Sequence, residues 1–143
     1  MATTTLNTSS TTPSIVSYLQ TGVIAAMIAA IANVIVYFVG QALGASFDII
    51  MQPGTPVVPL PIIAIVLFSV VPALGAAVLA WALNRYLARG NAIFVGIAVV
   101  FLLVSVIPDI TMPDPVTNAT RLGLMVMHFI AGGVITYMLS RKG

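Results

Sequence analysis

Cysteine is absent from this 143-residue chain. Its absence excludes disulfides, thiolate metal sites and cysteine nucleophiles. Charge is nearly as scarce. Five basic and three acidic residues make up 6% of the chain, against roughly 25% in a soluble domain. Lys and Arg do not occur before Arg85, so the basic n-region of a secretory signal is missing. Five scattered basic residues also fall short of the clustered face that nucleic acid requires. With a single histidine, the sequence calls for no metal site and no cofactor. Ser105, Asp109 and His128 could be written as a Ser–His–acid set, but nothing places the serine in a nucleophile elbow. No catalytic residue is assigned, and the expectation is a non-enzymatic protein.

What remains is apolar. The chain is 60% hydrophobic, with a mean hydropathy of +1.16. Residues 20–44, QTGVIAAMIAAIANVIVYFVGQALG, carry no charge and exceed the roughly 20 residues that cross a bilayer core as a helix. Further spans are expected at about 61–86, 93–107 and 120–139, separated by Pro-rich segments that forbid a regular helix. The fold class is therefore all-α: an integral membrane four-helix bundle with Pro-rich outer loops, over residues 15–143. Residues 1–14 form a Thr/Ser-rich tail without apolar periodicity, expected to be disordered.

Small residues mark the packing faces. Ala26, Ala30, Asn33, Tyr37, Gly40 and Gly44 recur in steps of four and three along the first span, the spacing of a helix–helix seam. Small side chains let backbones approach closely in a membrane. The first span is thus expected to be the helix against which the others pack. Gly132 and Gly133 are the corresponding positions in the fourth span.

Four spans put both termini and the 87–92 turn on one side, with Arg85, Arg89, Arg141 and Lys142. The other side holds Arg121, Asp48, Asp109 and Asp114. The positive-inside rule then predicts both termini in the cytoplasm. The expected location is the cell inner (plasma) membrane, as a multi-pass protein.

Ionisable residues inside a membrane are costly, and this makes them functional candidates. Interpolation along the spans brings Asn33, Ser69, Ser105 and His128 to similar depth as an intramembrane polar cluster. Asp48, Asp109 and Arg121 fall at its outer mouth, with Asp109 and Arg121 expected to form an ion pair.

The runs IANVIVYFVGQALG, SVIPD and MVMHFIAGG, with the Pro-rich loop after the first of them, resemble a family of small four-span bacterial membrane proteins known as a domain of unknown function. The resemblance covers roughly residues 20–140. It implies that Asn33, Pro108, Asp109 and His128 are the positions to watch, and it supplies no activity.

The leading expectation is an accessory or scaffold subunit of a membrane complex. Its partners would be the lipid bilayer and either other membrane subunits or further copies of itself. The alternative is a small transporter or channel built around the Asn33/His128 layer. A third reading is a tetrapyrrole-binding membrane subunit, with His128 as axial ligand and Gly132 leaving room for the ring.

Overall fold

Ser14 starts the first helix. Its hydroxyl accepts a hydrogen bond from the Ser17 amide at 3.2 Å, satisfying one of the orphan donors of a helix N-terminus. Helix α1 then runs Ile15–Ala42, about 42 Å at 1.5 Å per residue. In this computed structural model residues 14–50 and 54–143 are described. The tail expected over 1–14 lies outside the described residues except for Ser14, which belongs to the helix as its cap. Residues 15–19 also belong to α1, and Tyr18 is fully buried.

Gly44 ends the helix rather than extending its seam. It adopts φ +95°, with the Ala45 amide on the Gly40 carbonyl at 2.9 Å and the Gly44 amide on Gln41 at 3.0 Å. That pair of bonds is the Schellman arrangement, which favours glycine at the left-handed position. Gly44 is therefore a helix terminator and not part of the expected packing face, and a Cβ there would meet nothing within 4 Å. A short antiparallel hairpin follows, β1 (Asp48–Ile49) paired with β2 (Val58–Pro59).

Helix α2 spans Ile62–Tyr86, with Pro72 inside it. After a turn of three residues, α3 runs Gly90–Ser105 and α4 Ile107–Thr111. Proline has no amide to donate and its ring clashes with the preceding turn, so Pro108 marks the break between them. Together α3 and α4 form a span of 22 residues, Gly90–Thr111. The third span is thus longer than expected, and the loop predicted from residue 108 is helical as far as Thr111. Helix α5 covers Asn118–Ser140, and Thr117 is its cap, accepting from the Thr120 amide.

All four spans are long and apolar enough to cross a membrane. Helix α1 buries most, packing along α2 and α5, while α3 packs on α2 and α5 from the other side. The first span is thus the most buried helix but not a common core for all the others. Small residues are buried on both α1 and α2: Gly22, Ala26, Ala29 and Ala30 on α1, and Ala73, Ala77 and Ala80 on α2. A Cβ at Gly22 would come within 2.8 Å of Ala77 Cβ and 3.2 Å of the Ala73 carbonyl. Gly133 faces open space, whereas a Cβ at Gly132 would meet Leu102 at 2.8 Å. Only Gly132 of that pair is a packing position.

Large apolar side chains cover the outside. Ile31, Phe68, Val100 and Phe101 are each more than half exposed, which a lipid environment tolerates and water does not. The ends are equally distinct. Lys142 Nζ donates to Ser17 Oγ at 3.0 Å, so both ends of the described chain meet at one end of the bundle. The hairpin and α4 lie at the opposite end.

Candidate functional site

Phe47 anchors the hairpin end. Its side chain is fully buried and its ring centroid lies 4.9 Å from that of Tyr37. Two glycines make room for it: a Cβ would lie 2.6 Å from the ring at Gly40 and 2.7 Å at Gly123. The Phe47 amide donates to Thr120 Oγ1 at 3.1 Å, and its carbonyl accepts from the Leu60 amide at 2.9 Å. The loop is thereby tied to both α1 and α5. Gly40 is therefore a packing residue against the loop, not against another helix.

Beneath this anchor lies a His–Asp pair. Pro108 ends α3 and starts α4, and that turn carries Asp109 inward until its side chain is 7% exposed. His128 Nδ1 lies 2.9 Å from Asp109 Oδ2 and 3.0 Å from the Leu124 carbonyl oxygen. Both neighbours are acceptors, so Nδ1 must carry a proton. The N–H is directed at Leu124, and Asp109 Oδ2 is left without a hydrogen bond of good geometry. His128 is therefore either the neutral Nδ1–H tautomer, with Nε2 as an acceptor, or the imidazolium. The side chain is 39% exposed.

Asn33 contributes the second polar element. Ser69 Oγ donates its single proton to the Ile65 carbonyl at 2.9 Å. It can therefore only accept from Asn33 Nδ2, 3.2 Å away. This fixes the amide orientation and leaves Asn33 Oδ1 buried without a partner.

Two pockets meet at these groups. The outer one, about 260 Å³, lies under the hairpin and is lined by Asn33, Asp109, His128 and apolar side chains that include Leu60, Phe68 and Met127. The inner one, about 430 Å³, runs between α2, α3 and α5 from Ser105 and His128 to Leu79 and Thr136. From His128 to Thr136 is about 12 Å along the helix. Phe68, His128 and Ala131 line both pockets.

The expected polar cluster is thus divided. Asn33 and Ser69 bond to each other, and Asn33 and His128 share the outer pocket while His128 bonds to Leu124. Ser105 turns back onto the Leu102 carbonyl at 2.7 Å and reaches only the inner pocket. The expected Asp109–Arg121 pair is replaced. Arg121 lies 3.5 Å from Asp114 and donates to Asn118 and to the Met112 carbonyl. Asp109 goes to His128 because α4 turns it inward. Asp48 sits in β1, half-buried, its amide on Ser46 Oγ. Leu102 packs directly against Gly132, and both line the inner pocket with His128. Among the described residues no group of three His, Cys, Asp or Glu could hold a metal ion. Sequence reasoning missed Phe47, Gly22 and Gly123, whose roles depend on what lies opposite them.

The chain belongs to the family described as Family of unknown function (DUF6069), whose model matches residues 13–143. Neither the curated proteins nor the solved structures include a match.

Proposed function

We propose that this four-span membrane protein is a small non-enzymatic transporter whose working group is the His128–Asp109 pair. The observation that carries the reading is the position of His128 between two pockets stacked along the bundle. A binding site near the middle of a membrane, flanked by cavities on either side, is the arrangement that alternating access requires. The buried carboxylate supports it further, because an intramembrane charge is held at a cost that a purely packing role does not require.

The scaffold expectation rests on small-residue helix faces and on a scarcity of chemical groups; the small faces are used within the chain, as at Gly22 against Ala77 and Gly132 against Leu102. Exposed apolar side chains on all four helices suit lipid contact and do not by themselves indicate a partner subunit. The charge distribution supports both termini facing the cytoplasm, with the hairpin and α4 facing outward. A plasma-membrane location is part of the same proposal.

The test is flux. Purified protein in proteoliposomes with an internal pH dye should couple a gradient of some small solute to proton movement, across a panel of cations, anions and neutral molecules. His128→Gln and Asp109→Asn should abolish the coupling while remaining folded. Coupling that survives both substitutions, or no coupling with any solute, would overturn the proposal.

A further inference from the structure

We propose that the outer pocket binds small lipophilic organic cations bearing N–H donors, of the alkylammonium or alkylguanidinium type, in exchange for a proton on the His128–Asp109 pair. The proposal rests on the transport reading and names its substrate class.

The acceptors in this pocket outnumber the donors. Asn33 Oδ1 is buried and unpartnered, and Asp109 Oδ2 lies 2.9 Å from His128 Nδ1, whose N–H is directed at Leu124. The amide cannot be turned round to relieve this, because Ser69 accepts from it and bonds onward to Ile65. Asn33 is only 5% exposed and lines the pocket. A ligand that supplies N–H groups would complete Asn33 Oδ1 and balance the Asp109 carboxylate, since buried polar groups are hydrogen-bonded as a rule.

Charge sets the sign. Asp109 lines the pocket, and His128 is the only titratable base among the described residues that do so. An anion would face the carboxylate. A neutral donor would satisfy the acceptors but leave the carboxylate charge unbalanced whenever His128 is neutral. The other charged groups at this end are Asp48 on β1, Asp114 in the loop and Arg121 on α5. Arg121 is engaged by Asp114, Asn118 and the Met112 carbonyl. The remaining wall is apolar, with Leu60, Ile65, Phe68 and Met127 suited to a short hydrocarbon portion. At about 30 Å³ per small polar molecule or heavy group, a volume of about 260 Å³ holds a ligand of butylguanidinium size.

The exchange conserves charge. With the cation absent, a proton on Nε2 makes the imidazolium that balances Asp109. When the cation enters, the proton leaves Nε2, while Nδ1 keeps its own proton toward Leu124. One positive charge replaces another, and the site never carries an unbalanced charge.

Three probes of equal heavy-atom count separate the requirements. Butylguanidinium has charge and donors, butylurea has donors alone, and butyltrimethylammonium has charge alone. Binding to the full-length protein in detergent is measured by calorimetry. Butylguanidinium should bind at least about tenfold tighter than either comparator, the scale of one charge-assisted hydrogen bond. Asn33→Val should weaken it by about tenfold and leave butyltrimethylammonium unchanged. Equal affinity of butylurea, equal affinity of butyltrimethylammonium, or no binding of any probe would overturn the inference. The wild-type series decides the matter even if the variant fails to fold. Proton-coupled flux of a different solute that depends on His128 and Asp109 would defeat this substrate class while leaving the transport reading intact.

Discussion

Replacing Phe47 should loosen the hairpin end more than any other single change in the loop. The ring is fully buried, sits 4.9 Å from Tyr37 and fills a slot whose walls are Gly40 and Gly123. Neither glycine carries a side chain that could move in, so a cavity would persist. Phe→Ala in such a site costs about 3–5 kcal/mol, of which the aromatic pairing contributes about 0.5–1.5 kcal/mol. The backbone adds a second test. Phe47 has φ +52°, a left-handed conformation that costs a non-glycine residue roughly 1–2 kcal/mol. Glycine escapes that cost but loses about 0.5–1 kcal/mol through its freedom when unfolded. Phe47→Gly should therefore be at least as stable as Phe47→Ala, the reverse of the usual order. The assay is denaturant unfolding in detergent micelles followed by circular dichroism and near-ultraviolet absorbance. A loss below about 1 kcal/mol for Phe47→Ala would refute the anchoring role. A glycine variant less stable than the alanine variant by about 1 kcal/mol would refute the strain argument.

Three further outcomes are expected. Gly22→Leu should destabilise the bundle, because its Cβ would meet Ala77 and the Ala73 backbone, whereas Gly133→Leu, facing open space, should change the melting temperature little; equal effects would refute the assigned seam. His128→Leu strands a buried carboxylate and should cost roughly 2 kcal/mol, a discounted figure because the imidazole is 39% exposed. Asp109→Asn should cost less on thermal melting, and the opposite order would contradict the pairing. A cysteine at the exposed Thr55 should react with an impermeant reagent in intact cells, and one at the exposed Ala88 should not; the reverse labelling pattern would overturn the charge-based orientation.

The spans were legible because a membrane-crossing helix needs only length and apolarity, both visible in the residue order. Helix α2 was expected at 61–86 and lies at Ile62–Tyr86. Ends were less legible because they depend on caps: Ser14 and Thr117 extend α1 and α5 beyond their apolar cores. Gly44 fits the seam spacing of α1 perfectly well, yet a periodicity cannot tell a packing glycine from a terminating one. The difference lies in two backbone bonds to Gly40 and Gln41. His128, Asn33 and Asp109 stood out as polar residues in or beside apolar spans. Their partners did not, because the choice of Asp109 between Arg121 and His128 is made by the turn at Pro108, a feature of direction rather than composition. Phe47 carried no signal at all, being one apolar residue among many until Gly40 and Gly123 are seen across from it.

The most direct measurement uses a permanent cation, because an amine crosses bilayers as its free base and would blur the result. Guanidinium groups stay protonated in proteins and water alike. Proteoliposomes containing the wild-type protein and an internal pH dye are given an inward gradient of butylguanidinium. Exchange of the cation for a proton at His128–Asp109 predicts that the interior becomes alkaline, faster than in protein-free vesicles, and that Asp109→Asn removes the difference. An interior pH that follows the protein-free vesicles, or an alkalinisation that Asp109→Asn leaves unchanged, would contradict it.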